Sequence, residues 1–291
     1  MEKPIVNFQI YLPLKITQHI SKKEKIKMNL ITVNQEKCIK CGLCINECPE
    51  HVLKLSENGP EEVCTEECIS CGHCVAICPK EAIDNIKTPL SNQVSSKKFP
   101  KLSPEEAANF LRSRRSIRSY KETPVPREKL IDLINIAHFA PSGHNLQGIS
   151  YIIIDDRKII GKAVKLVIEE FEKDNVSSNF TKPYREKGID TILRGASSLI
   201  LATADLNFPR GRENSIFSLA YLELYAPTLG LGSCWAGMFE RIAMKDNSPL
   251  IKLFNIPNNK KITGAVMVGY PKYTYSRLVD RNPLDFTFIN Q

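Results

Sequence analysis

The chain has 291 residues, 25% of them charged, with a formal net charge of +8 and ten cysteines. That length leaves room for two domains. With no run of about 18 apolar residues, and no apolar stretch with a small-residue cleavage site near the start, it is expected neither to span a membrane nor to be secreted. The basic residues after position 91 show no aromatic interleaving and no zinc-finger or RNA-binding signature, so nucleic acid is not the expected partner.

Residues 1–27 hold six lysines, four of them at Lys22, Lys23, Lys25 and Lys27, and have no periodicity. They read as an N-terminal extension, expected to be disordered. Residues 28–38 look like the opening of a domain, a short strand, so Met28 as a natural start and a genuine basic arm before it both stand open.

Two copies of C-x2-C-x2-C-x3-C-P follow, Cys38, Cys41, Cys44 and Cys48-Pro49, then Cys68, Cys71, Cys74 and Cys78-Pro79, offset by 30 residues. Closely spaced thiolates on a tight turn converge on one small inorganic core. The fourth, followed by a proline hostile to helix, is aimed elsewhere. Disulfide scaffolds belong to small exported domains, and zinc sites usually lack a third evenly spaced thiol and a doubled terminal Cys-Pro, so both fit less well. Over residues 30–90 or so the pattern resembles the bacterial-type two-cluster ferredoxins. The resemblance implies one [4Fe–4S] cluster on Cys38, Cys41, Cys44 and Cys78 and a second on Cys68, Cys71, Cys74 and Cys48. Such clusters need reduced thiols, which implies the cytoplasm. Cys64 is extra to the pattern and reads as a free thiol.

Residues 28–90 form this expected module and are acidic, with five lysines against ten Glu and Asp. The rest of the chain carries the positive surplus, suited to docking the acidic module and to holding an anionic cofactor. After Cys78 a strand around residues 82–86 is expected to mirror the segment after Cys48. Residues 91–102, rich in Ser and Pro, read as a linker.

Ser103-Pro104-Glu105-Glu106 is a capping box with proline at the first helical position, so a second domain is expected over residues 103–291. Its first helix runs into the basic stretch Arg112 to Arg118. A second helix starts at Pro126 and keeps Leu130, Leu133, Ile134 and Ala137 on one face until Ala140-Pro141. A strand at 150–154 and a helix at 157–173 come next, and 174–188 reads as a polar loop. A strand at 196–204, a helix from 213 to about 228, a glycine-rich turn at 230–237, a helix at 247–254 and a strand at 262–268 lead to the tail, 269–291. Strands mixed with helices indicate an α+β or α/β domain.

Four stretches carry a second resemblance. Arg114-Arg115-Ser116-Ile117-Arg118 offers guanidinium forks and a hydroxyl suited to phosphate. Ala140-Pro141-Ser142-Gly143-His144-Asn145-Leu146-Gln147 is dense in hydroxyl and amide groups. Gly230-Leu231-Gly232-Ser233-Cys234-Trp235-Ala236-Gly237 and Gly269-Tyr270-Pro271, the latter followed by Arg277 and Arg281, complete the set. In this order and separation they resemble the nitroreductase family of FMN-dependent oxidoreductases, from about Pro104 to the C-terminus. The resemblance implies an α+β fold with a central sheet and flanking helices. It places Arg114, Ser116 and Arg281 on the FMN phosphate, Arg115 beside the ribityl chain and Arg118 near the N1/O2 edge of the ring. Ser142, Asn145 and Gln147 are expected to face the flavin from the partner subunit of an intertwined homodimer, and the backbone of Trp235, Ala236 and Gly237 to approach O4 and N5. His144 lies in the same loop. Many relatives carry a glutamate near Gly237 that is missing here.

No catalytic side chain is singled out, and Cys234 reads as a small buried residue. Gly230-Leu231-Gly232 lacks the third glycine of a dinucleotide fingerprint, so NAD(P)H, if used, is expected to stack over the flavin. The expectation is an FMN-dependent oxidoreductase that passes electrons between two [4Fe–4S] clusters and FMN and reduces a small acceptor such as a nitroaromatic or quinone, with an external ferredoxin as a candidate donor. The alternatives are a non-enzymatic electron carrier or redox sensor, and a flavin-dependent dehalogenase or ene-type reductase using 174–188 as a lid.

Overall fold

A computed structural model describes residues 29–289 and divides into two compact units, one ending at Val94 and the other beginning at Ser95. The readings of residues 1–28 lie outside the described residues. The stretch read as a linker, 91–102, holds the last residues of one 3-10 turn, Leu90–Asn92, and a second one, Ser96–Lys98.

The first unit runs β1 (Ile31–Val33), α1 (Leu43–Asn46), β2 (Leu53–Ser56), β3 (Gly59–Glu62), α2 (His73–Ala76) and β4 (Ile83–Asn85). β1 pairs antiparallel with β4, and β2 with β3. The 30-residue repeat of the sequence is also a repeat of the backbone. Left-handed φ occurs at Lys40 (55°), Gly42 (76°) and His51 (50°), and again at Ser70 (56°), Gly72 (74°) and Glu81 (49°). A Cβ on Gly42 would have no atom within 4 Å, so glycine there answers the backbone angle and not crowding. Leu30, Ile31, Val52, Leu53, Val75 and Ile83 form a small core with Cys44 and Cys74. The β2–β3 hairpin has no counterpart in the sequence reading, because Gly59-Pro60-Glu61-Glu62 has poor strand propensity.

The second unit opens with α3 (Pro104–Ser113), whose capping box is complete: Glu106 N donates to Ser103 Oγ (3.1 Å) and Ser103 N to Glu106 Oε2 (2.8 Å). Then come α4 (Arg127–Ala137), β5 (Ser150–Ile154), α5 (Arg157–Lys173), α6 (Ser178–Lys187), β6 (Ser198–Asp205), α7 (Gly211–Tyr225), β7 (Gly232–Trp235), α8 (Gly237–Ala243), α9 (Pro249–Leu253) and β8 (Lys260–Gly269). The sheet has the order β5-β6-β8-β7 with every neighbouring pair antiparallel.

Its central strands are buried on both faces, and alternate residues sort into two cores. Leu199, Leu201, Ala265 and Met267 meet α5 and α8 through Val164, Ile168, Phe171 and Phe239. Ile200, Ala202, Val266 and Val268 meet α4 and α7 through Leu130, Leu133, Leu219 and Leu222. Helices on both faces of an antiparallel sheet make this an α+β domain.

Three expectations are corrected. Residues 174–188 are not a loop: they contain α6, started by Ser177 Oγ accepting from Asn179 N and closed by Gly188 at φ 66°. Phe180 and Tyr184, four apart, pack against the α5 side of the core, with Phe180 edge-on to Phe171 at 6.2 Å. Pro183, which normally breaks a helix, hid this element. Likewise 230–237 is not one turn, since only Gly230 (φ 71°) turns and the next residues form edge strand β7 before α8 begins. The helix read as 213–228 is α7 followed by the 3-10 turn Ala226–Leu229, because Pro227 has no N–H to continue the ladder.

Phe171 is fully buried beneath α6. Phe171→Ala should cost about 3–5 kcal/mol in denaturant unfolding and raise amide exchange selectively in 178–187. Unchanged exchange there would mean that α6 is not held by this contact.

Candidate cofactor sites

In the first unit Cys38, Cys41, Cys44 and Cys78 line one recess, together with Val33 and Leu55. A Cβ added to Gly59 would come within 3.0 Å of Cys38 Sγ, so the β2–β3 hairpin closes tightly over this thiol. Burial pushes the Cys44 thiol up to about 11, with Cys74, Cys78 and Cys41 adding in the same direction. Cys74 is also raised, first by burial and then by Cys71 and Cys68, against the opposing pull of the Asn85 amide. Buried thiols crowded against one another resist ionising unless a metal centre takes their charge. Among the described residues no group of three or more His, Cys, Asp or Glu converges closely enough to hold a single metal ion. Donors set around a recess suit a multi-atom cluster. The structure thus brings Cys38, Cys41, Cys44 and Cys78 together, and groups Cys68 and Cys71 around the buried Cys74. Cys64 is exposed.

In the second unit the basic run leaves α3 and lies along β7. Ile117 N donates to Ser233 O at 2.9 Å, and Ser116 bridges Ser233 in parallel register. A Cβ on Gly232 would strike Ile117 at 2.5 Å, so β7 needs glycine for this contact. Farther along, Tyr120 bridges Pro271, and Lys121 N donates to Tyr270 O. The Arg114–Arg118 stretch, the β7 segment and the Gly-Tyr-Pro stretch therefore share one corner of the domain.

Arg114 Nη1 stands 3.9 Å from Oε1 of buried Glu223, which also accepts from Ser233 Oγ at 3.2 Å. Burial raises the Glu223 carboxyl, opposed by Arg114 and then by Ser233. The Arg115 guanidinium lies over the Tyr275 ring at 5.0 Å, and Arg118 is exposed with a 3.5 Å contact to Ser116 O. Among the described residues neither Arg115 nor Arg118 pairs with a carboxylate, so their charge remains for an anion. Arg281 is exposed in the tail, where its backbone N–H donates to Asp280 Oδ1, and among the described residues no hydrogen bond or ion pair joins it to the Arg114–Arg118 stretch.

Trp235 is held from behind. Its Nε1 donates to Glu240 Oε2 at 2.9 Å, Arg212 donates to the same oxygen at 2.9 Å and stacks on the indole at 5.0 Å, and Glu240 Oε1 accepts from Ala265 N at 2.7 Å. Ala236 N donates to Ala265 O. Glu240, missed in the sequence, faces inward one turn after Gly237, so a glutamate does stand near Gly237, contrary to the expectation. Its signal was the spacing: a carboxylate at the fourth position of a short helix that begins after the only tryptophan.

The 142–147 loop lies at the other end of α7. Gly143 N reaches Asn214 Oδ1 at 3.4 Å, and Gln147 N donates to Ser142 Oγ at 3.0 Å. His144, Asn145 and Gln147 all take left-handed φ (49°, 52° and 51°). Among the described residues Ser142 and Gln147 make no hydrogen bond to the Arg114–Arg118 stretch of the same chain.

Comparison with known proteins finds a match to the Nitroreductase family model over residues 111–270 and to a 4Fe-4S dicluster domain over residues 30–79. An iodotyrosine deiodinase of Thermotoga neapolitana is 30% identical over 169 residues, covering 56% of this chain and 87% of that protein. A putative NADH dehydrogenase/NAD(P)H nitroreductase of Archaeoglobus fulgidus is 28% identical over 173 residues, covering 58% and 87%. Among solved structures, a nitroreductase with bound FMN from Bacteroides fragilis shares the fold, with a TM-score of 0.53 at 17% identity over 64% of this chain and 99% of that one.

Two expectations follow. The chain has one tryptophan, so Glu240→Ala should red-shift its fluorescence and cost about 1.5–3 kcal/mol by leaving three donors unpaired; an unmoved emission maximum would show that Glu240 does not hold the indole. The raised carboxyl of Glu223 contributes stability that is complete below its ordinary value of 4.5 and is lost as pH rises through the folded value. Unfolding measured against pH should therefore show Glu223→Gln gaining on the parent protein as pH rises from about 4.5; a difference that stays constant with pH would contradict this.

Proposed function

Because the chain belongs to the nitroreductase family, whose members are FMN-dependent oxidoreductases, we propose that its second unit holds FMN and that the cysteine unit ahead of it supplies the flavin with electrons for reduction of a small acceptor. When bound, the clusters offer one-electron steps and FMN a two-electron, hydride-capable centre. The observation that carries the reading is the docking of the Arg114–Arg118 stretch on β7, the strand that ends at Trp235.

Within that corner Arg114 and Ser116 would take the phosphate, joined by Arg281 from the tail, Arg115 the ribityl chain and Arg118 the N1/O2 edge, where a cation favours negative charge on the reduced ring. The backbone of Trp235, Ala236 and Gly237 would face O4 and N5, kept in place by Glu240. Cys38, Cys41, Cys44 and Cys78 would ligate one [4Fe–4S] cluster, and Cys68, Cys71, Cys74 and Cys48 the other.

The family is typically dimeric, and the geometry favours a partner that completes the site. Asn214, which meets the 142–147 loop, and Glu223, which meets Arg114, are nine residues apart on α7, about 13 Å along its axis. Ser142, Asn145 and Gln147 would thus serve the flavin of a second copy. Ile216, Phe217 and Tyr221 of α7, with Phe139 and Leu146 near the loop, are exposed in one chain and suit an interface between copies.

Nitroaromatics and quinones are the acceptor classes of choice, with reduced ferredoxin as donor and NAD(P)H as the competing one. The similarity to an iodotyrosine deiodinase favours a second reading, reductive dehalogenation of a halophenol. Residues 28–90 would be the cluster domain, 91–102 the linker and 103–291 the flavin domain. Among the described residues no helix is long and apolar enough to cross a membrane, and the cytoplasm is the proposed location.

Anaerobic preparations should contain about eight iron, eight sulfide and one FMN per chain. Turnover with reduced ferredoxin should be compared on a nitroaromatic, a quinone and a halotyrosine. Arg114→Ala, made in the Glu223→Gln background so that no buried carboxylate is orphaned, should weaken FMN binding about 10–100-fold. Protein without flavin under these conditions would sink the reading, and reoxidation by none of the three acceptors would favour an electron carrier.

A further inference from the structure

The 30-residue repeat places two residues at equivalent positions of the backbone and gives them opposite chemistry. Asn85 in β4 corresponds to Leu55 in β2. Leu55 lines the recess of the Cys38, Cys41, Cys44 and Cys78 quartet and has no donor to offer. Asn85 is 3% exposed, with its Nδ2 at 3.8 Å from Cys74 Sγ and 4.0 Å from Cys68 Sγ. The amide cannot be turned round without loss, because Oδ1 accepts from Lys87 N at 2.9 Å. Its N–H groups therefore face two thiolates of the second quartet.

We propose that Asn85 is a tuning residue that raises the reduction potential of the cluster on Cys48, Cys68, Cys71 and Cys74, making it the more easily reduced of the two. The inference rests on the cluster assignment given under Proposed function. Taking up one electron adds one negative charge to the cluster and its thiolates, with no bond made or broken and no proton transferred. Hydrogen bonds to the sulfurs stabilise that extra charge, and so raise the potential. Among the described residues no side-chain donor repeats this effect at the first quartet. Lys40 and Lys80 border its recess but are exposed, as Lys87 and Glu57 are, so water and salt screen their charge. Among the described residues the first quartet receives one backbone donor, Ala82 N to Cys78 Sγ at 3.3 Å. That bond is common to both variants used in the test.

The test is stepwise reduction of the anaerobic holoprotein with dithionite at poised potentials, the two reduced clusters being followed by electron paramagnetic resonance. The parent protein should show two separate midpoints. Asn85→Leu, which copies the residue of the other repeat, should lower the higher midpoint and leave the lower one in place. Leu55→Asn, on an exposed strand position, should raise the lower midpoint and narrow the gap, and it decides the matter if Asn85→Leu fails to load its iron. Both clusters loaded with neither midpoint moved, or the lower midpoint responding to Asn85→Leu, would overturn the proposal. Parent protein lacking iron would instead remove the cluster assignment beneath it.

Discussion

The flavin-side architecture depends on one close contact, the side chain of Ile117 lying on Gly232. Any side chain at 232 would collide with it at 2.5 Å, and the strand-like run 116–118 would leave the edge of the sheet. Because it stays, the backbone bond from Ile117 to Ser233 forms. Arg114 then meets Glu223 and Ser116 meets Cys234. A glycine in an edge strand weakens that strand in isolation; here the backbone it uncovers is used to dock the cation-bearing segment. Glu240 completes the arrangement from inside, joining β7, β8 and α7 through the indole, the Ala265 amide and Arg212.

The cysteine unit solves a different problem. With few large apolar side chains it cannot bury much surface, and its own core already contains two of the thiols. Crowded, buried thiols oppose ionisation, so the unit gains most from a centre that takes up the thiolate charge. The repeated left-handed residues at 40, 42, 51 and 70, 72, 81 set two near-identical loops, and the differences between the halves lie in side chains such as Leu55 and Asn85. Two units of opposite charge thus share a chain, one built to hold thiolates and the other to hold an anion.

Local signals were legible where a single physical rule acted alone. The doubled Cys-Pro pattern announced two quartets, Ser103 to Glu106 announced a capped helix, and the apolar runs at 150–154 and 196–204 announced strands. Reading failed where two rules competed. Pro183 and a polar surface masked α6, whose formation is decided by Phe180 and Tyr184 packing on the α5 side. Glycines at 230, 232 and 237 suggested one turn, although only the first turns and the others make room for neighbours or open a helix. Glu240 went unread, because its role depends on Trp235 and Ala265 closing around it in the fold.

What the sequence determined by itself was chemistry: which thiols repeat, which cations and amides recur in family order, and where the acidic module gives way to a basic domain. These are properties of residue type and spacing, and they survive without coordinates. What only the tertiary structure decided was neighbourhood. Arg114 meets Glu223, Trp235 meets Glu240 and Arg212, and Asn85 faces Cys68 and Cys74, because β-sheet register and helix packing join residues that no local pattern relates.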